Sequence, residues 1–440
     1  MLGVLIPLAL AATAAPPPFE LVRANERWHD VDGAPPYKDI ALTPDGDAYV
    51  SLGGETRVRV DAFDAPRYGI GRVADTYALT RALVHADWHF GERVRVFAQL
   101  GREDAIGKKP PLAVSDVDRG DVRNLFVDVA FGQARDVTLR AGRQELMFNA
   151  TQRFVSVREG PNVRQSFDGA RATWQAGAWR IDAFALRPVA VDPDPFDDAA
   201  DGAQAFRGAY ASRRIGAHAT LDVYALSLDR DDATFGSVRG DERRDSVGAR
   251  YAGAARGFDV DVEALAQHGR FAGRAIRAWA AGAIVGYTAR AAWSPRVALE
   301  VDAGSGDRAG TRALETFNPL FPKGAYFDES ALMSWSNALV ARASVGVAPR
   351  DGVALRASVL SRRRMRADDA VYVQPYAPLA PTLADRSRDV GRAVVLDASW
   401  RVDRAWTLTA QVARHDAGAA IERAGGRDAD FAMFVAQWKF

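Results

Sequence analysis

Alternation with a period of two runs through almost the whole of this chain, and few architectures accept it over such a length. In "ETRVRVDA" the charged Glu55, Arg57, Arg59 and Asp61 fall on odd positions, with Val58, Val60 and Ala62 on even ones. "RVRVFAQL" repeats the pattern, with Arg93, Arg95 and Gln99 opposite Val94, Val96, Ala98 and Leu100. "FDVDVEAL" and "AVVLDASWRV" continue it near residues 260 and 397. Such runs are strands with one wet face and one apolar face. They recur about eighteen times between residues 48 and 440, one of them over 333–347. Between them no amphipathic helix is evident.

The connections sort by length. "FGER" at 90–93, "QAGAW" at 175–179 and "VDRAW" at 402–406 have the brevity of hairpins. The alternate connections are long and rich in Gly, Pro and Asp, near 104–121, 147–165, 188–203, 229–244, 303–332, 362–390 and 416–428. Short turns on one rim and long loops on the other predict a transmembrane, antiparallel, up-and-down β-barrel of about 18 strands. The short turns are then periplasmic and the long loops extracellular. A soluble sandwich would not sort its loops so regularly.

The N-terminus agrees with export. "LGVLIPLALAATAA" is an apolar run ending in the A-x-A form Ala12-Thr13-Ala14, and Pro16, Pro17 and Pro18 follow at once. The expected division is a signal peptide over 1–15, a lead-in segment over 16–47 and the barrel over 48–440. No later stretch approaches the roughly 18 apolar residues of a spanning helix. The expected location is the outer membrane of a Gram-negative bacterium, in contact with its lipid and lipopolysaccharide. The final "FAMFVAQWKF" puts Phe434, Trp438 and Phe440 on one face, as a strand closing the barrel would. A terminal Phe is similar to the signal that the bacterial barrel-assembly machinery reads.

Charge is almost balanced, with 57 basic and 56 acidic residues, so no global field points to nucleic acid. Lysine occurs only at 38, 108, 109, 323 and 439, leaving 52 arginines. Each arginine is a planar fork able to grip a carboxylate with two bonds. If even positions of the first strand face lipid, the odd ones face the lumen. The inward set then includes Arg57, Arg59, Arg81, Arg95, Arg140, Arg171, Arg356 and Arg401. Facing lipid instead, each would cost about 2–4 kcal/mol at the midplane. Two readings of this wall stand: a rigid scaffold of ion pairs, or an arginine-lined conduit for an anionic solute.

At "GRQEL" (142–146), "SVREGPNVRQSFDGAR" (156–171) and "FNPLFPKG" (317–324) the chain resembles the alginate export family of outer-membrane proteins. The resemblance implies an 18-stranded, monomeric barrel that passes an anionic poly- or oligosaccharide, or another organic anion, through an arginine-lined pore. It makes Arg143, Arg153, Arg158, Arg164 and Arg171 candidates for the constriction, with Asp168 as a partner of one of them. It also implies that Phe317, Asn318, Pro319 and Phe321 fold over or into the lumen.

Catalysis finds little support in the sequence. No G-x-S-x-G, H-E-x-x-H or P-loop pattern occurs, and cysteine is absent. His85 and His89 share one strand face with Asp87 between them, a ladder better suited to hydrogen bonding than to a metal. The expectation is a channel without cofactor or resident metal. A general, weakly selective porin is the alternative, and a barrel lipase or deacylase with a rim histidine is a third, weaker idea.

Overall fold

The computed structural model describes residues 19–29, 31–236 and 238–440. The expected signal peptide lies outside them. Eighteen strands make one closed wall. The first six are β1 (Ala48–Phe63), β2 (Asp75–Phe90), β3 (Val94–Ile106), β4 (Asp118–Phe131), β5 (Val137–Glu145) and β6 (Ser166–Ala176). The next six are β7 (Trp179–Ala190), β8 (Gln204–Ile215), β9 (Ala219–Phe235), β10 (Val238–Ala255), β11 (Phe258–Phe271) and β12 (Arg274–Thr288). The last are β13 (Arg296–Gly304), β14 (Ala338–Arg350), β15 (Val353–Arg364), β16 (Asp389–Arg401), β17 (Trp406–Ala417) and β18 (Ala429–Lys439).

Each strand pairs antiparallel with the next, and β18 returns to β1 with Glu55 opposite Lys439 and Phe63 opposite Phe431. Closure leaves no free edge, so every wall N–H and C=O can find a partner without water. The pleat sets the two faces. Val58 and Val60 are 42% and 41% exposed, whereas Arg57 and Arg59 beside them are 4% and 6% exposed. Outward-facing aromatics gather beside the short turns: Trp174 and Trp179, Tyr251 and Phe258, Trp400 and Trp406. They form an aromatic girdle at that rim. Among the described residues no helix is long and apolar enough to cross a membrane.

Two stretches differ from expectation. The long loop expected over 229–244 is instead the tip of a hairpin, in which β9 and β10 stay paired up to Phe235 and Val238, with an irregular step between Arg230 and Ala233. Ion pairs Arg230–Glu242 and Arg239–Asp232 cross that arm and replace the turn chemistry a loop would need. The strand expected from residue 333 begins only at Ala338. Met333 and Trp335 alternate like strand residues, yet both are 1% exposed inside the barrel. They belong to a loop that has folded inward.

Three segments fill much of the lumen. The connection 146–165 brings in Phe148, Phe154, Val155 and Val157; the connection 305–337 brings in Phe317, Phe321, Tyr326 and Trp335. Phe154 packs against Phe317 and Trp335 with ring centroids 5.5 and 5.1 Å apart. Phe321 lies 4.9 Å from Phe167 and from Phe206 on the wall. The third is the lead-in. Its Val22 and Ala24 join Phe97, Phe126 and Val157 in one apolar cluster, so it sits inside the barrel rather than trailing from it.

Candidate channel and its arginines

The flank of the lumen formed by β1–β6 is packed with charge. Arg81, 1% exposed, donates from Nε to Glu55 Oε1 at 2.8 Å and also grips Glu159 of the inward loop. Arg57 donates to the Glu159 and Pro161 carbonyls at 2.8 and 3.0 Å. Arg59 bridges Asp61 at 2.8 Å and Glu329 at 2.7 Å. Arg164 holds Glu145 at 2.9 Å and the Leu21 carbonyl at 2.8 Å. Arg95 forks onto Asp87 at 2.6 and 2.8 Å and reaches the Ala24 carbonyl at 2.7 Å. Arg57, Arg59 and Arg81 tie the wall to the inward loops, Arg95 ties it to the lead-in, and Arg164 joins all three. Burying such groups is tolerable because most of their donors are met, although Arg57 Nε and Arg95 Nη1 find no hydrogen-bond acceptor.

Five of the seven remaining arginine candidates are also in pairs. Arg140 forks onto Asp128 at 2.7 and 2.8 Å with its guanidinium 3.6 Å from the Phe126 ring centre. Arg143 forks onto Asp168 at 2.9 and 3.0 Å, so these two do meet. Arg171 donates to Asp182 at 2.9 Å, and Arg356 to Asp397 at 2.8 Å. Arg153, completely buried, joins Asp261 at 2.5 Å and the Tyr326 hydroxyl at 2.9 Å, pinning the two inward loops to β11. Two candidates stand apart. Arg401 is exposed at the end of β16 on the short-turn rim rather than within the lumen. Arg158 sits on the inward loop in a left-handed conformation with φ of 57°. His85 stacks on Phe97 at 5.3 Å and His89 pairs with Asp87 at 3.1 Å, so the histidine ladder serves the packing around Arg95.

Two chambers lie among the inward loops of the described residues. The inner one, about 150 Å³, lies against β11–β15 and is lined by Asp259, Asp261, Arg296, Glu300, Lys323, Tyr326, Arg342 and Arg356, among others. The outer one, about 610 Å³, opens on the long-loop side, between the β1–β2 and β3–β4 connections and the inward loops. A short segment divides them: Lys323 and Tyr326 line the inner chamber, while Gly324 and Ala325 line the outer. The partition is tight. A Cβ on Gly324 would come within 2.5 Å of Pro161 Cδ, and one on Gly160 within 3.3 Å of the Ala325 Cβ.

The chambers share an electrostatic feature. In the inner one Arg296 pairs with Asp259, Arg342 with Glu300 and Arg153 and Arg250 with Asp261. Lys323 is the cation left over. In the outer one Arg59 takes Asp61 and Glu329, and Lys108 takes Asp116. Arg67, Arg72 and Lys109 bond only backbone carbonyls: those of Pro378, Pro111 and Ala74. None of Arg67, Arg72, Lys109 or Lys323 stood out in the sequence. The available signal was lysine scarcity, since Lys108 and Lys109 are the chain's one adjacent pair.

Comparison with known proteins fits this architecture. The sequence profile of the alginate export family matches residues 48–435. No curated protein sequence matches the chain. Among solved structures, OccAB1 of Acinetobacter baumannii superposes with a TM-score of 0.61 at 13% identity, covering 92% of this chain and 98% of its own. OccK8 (OprE) of Pseudomonas aeruginosa gives 0.58 at 11% identity over 89% and 98% of the two chains. OccK2 (OpdF) of the same organism, solved in complex with glucuronate, gives 0.57 at 10% identity over 89% and 98%. At such identities the likeness is one of fold. With the family profile spanning nearly the entire barrel, the chain belongs to the alginate export family and is an outer-membrane β-barrel channel, not an enzyme.

Proposed function

We propose that this channel passes an anionic poly- or oligosaccharide of the alginate kind, or another organic anion, and that cations lining the passage set its selectivity. One observation carries the reading: after pairing, the charge left over in both chambers is positive. Each carboxylate lining the inner chamber has a guanidinium partner, and Lys323 remains. The outer chamber is lined by Arg59, Arg67, Arg72, Lys108 and Lys109 against Asp61, Asp75, Asp116 and Glu329, which leaves a surplus of one positive charge. A narrow passage with fixed positive charge lowers the barrier for carboxylates and raises it for cations. The paired acids keep a polyanion from binding too tightly to leave. The family and the glucuronate held by OccK2 both support an acidic solute.

The test is the reversal potential of the purified protein in planar bilayers under a salt gradient. Anion selectivity is expected, with Lys323→Glu reducing it severalfold at low salt and much less at 1 M, where the Debye length is about 3 Å. A wild-type channel without anion preference, or one indifferent to Lys323→Glu, would return the protein to the class of weakly selective porins.

A further inference from the structure

The outer chamber differs from most of the barrel in how its arginines are held. On the wall most buried guanidinium groups meet a carboxylate, as Arg59, Arg81, Arg95, Arg244 and Arg250 do, although Arg362 and Arg364 bond carbonyls. Arg67 and Arg72, in the β1–β2 connection, have carbonyl partners instead, at 3.2 and 2.9 Å, and Lys109 likewise at 2.6 Å. A carbonyl satisfies one donor and neutralises no charge. Burial and then the neighbouring Arg72 lower the pKa of Arg67, the behaviour of like charges facing one space. Among the described residues, the same chamber holds one carboxylate without a cationic partner, Asp75, which accepts the Lys109 amide, and one neutral vacancy in its hydrogen bonding. Gln374 lines it, and its buried side-chain oxygen accepts no hydrogen bond. Phe63, Tyr77 and Phe431 supply apolar walls.

We propose that this chamber is a docking site for one acidic sugar ring, with its carboxylate on Arg67, Arg72 and Lys109 and a ring hydroxyl donating to Gln374. The volume of about 610 Å³ suits such a guest, lying inside the roughly 300–1,000 Å³ of small-molecule pockets. The inner chamber's 150 Å³ does not. A lipid headgroup is a poor alternative, because Gly160, Pro161, Gly324 and Ala325 of the inward loops line the chamber and place it within the lumen. The inference rests on the anion-channel reading and adds a place and a chemistry for the first contact. It also makes that contact one-sided, since only the long-loop rim carries the three cations.

Single-channel recording tests it. Galacturonate, galactose and inorganic phosphate are added to one side at a time, with orientation read from a thiol label on Leu112→Cys, an exposed loop position in a cysteine-free chain. Galacturonate on the long-loop side is expected to interrupt the current, and galactose is not. Arg67→Gln with Arg72→Gln should lower the association rate about tenfold or more. Gln374→Leu should shorten galacturonate dwell times and leave those of phosphate unchanged. Equal interruption from both sides, an unaffected double variant, or phosphate dwell times matching those of galacturonate would overturn the site. Reversal potentials in the same recordings judge the channel reading separately, so selective but unblocked channels condemn the site alone.

Discussion

The two flanks of the lumen use the same residue types to opposite effect. Against β1–β6, Arg57, Arg81, Arg95 and Arg164 are all 5% exposed or less, and the lead-in and the 146–165 loop occupy the space before them. Against β11–β15, Arg296 and Arg356 have side chains 18% and 24% exposed, and a chamber remains. Arginine content alone therefore does not mark a pore. Where forks are desolvated and shared between wall and loop, guanidinium groups act as mortar. Where they stay partly wet, as Arg296 and Arg356 do, their ion pairs line an open space instead of filling it.

The contrast breaks most plainly if the two kinds of arginine prove energetically alike. Arg81→Gln leaves Glu55 and Glu159 buried without their shared fork. It should cost about 3–5 kcal/mol, read as a lowered urea midpoint of the detergent-folded barrel. Arg356→Gln on the open flank should cost about 1 kcal/mol or less, because Asp397 keeps a 2.7 Å bond from Gln411. Equal losses would erase the distinction.

Gly324→Ala probes the partition between chambers. Its new methyl meets Pro161, a ring that cannot swing aside. The overpacking should cost about 1–3 kcal/mol and change the conductance of single channels. An unchanged conductance would show that the inward loops do not gate the path. The lead-in can be tested with Ala24→Cys and Phe97→Cys, two positions of one apolar cluster, joined by a short thiol crosslinker. Conductance after crosslinking should match that before it, whereas removing residues 19–38 should raise it. The smallest effect belongs to the rim. Arg414 pairs with Asp428 and Asp430 in the open. Arg414→Ala should move stability by no more than about 1 kcal/mol.

The wall was legible because its physics is local. Lipid outside and charge inside impose a period of two on each strand separately, and the even positions of β1 are indeed the exposed ones. The lumen was harder to read, because burial there follows from loops that meet across the barrel. Met333 to Asn337 alternate as a strand would, and only packing against Phe154 and Tyr326 makes them part of a plug. The surplus cations escaped notice for a related reason. Arg67, Arg72, Lys109 and Gln374 come from three separate connections, and the three cations are marked only by bonding carbonyls. The fork between Arg143 and Asp168 was foreshadowed by motif resemblance, not by spacing.

The lead-in has one further consequence. Arg23 donates to the Gly54 carbonyl at 2.7 Å and to the Phe440 carbonyl at 2.8 Å, and Lys38 reaches Phe440 as well. Gly54 and Phe440 bond to each other across the seam where the last strand meets the first. Before that seam zips shut, Arg23 has Glu26 and Gly54 within reach but not Phe440. Seated across that seam, the N-terminal segment latches the closed cylinder from within.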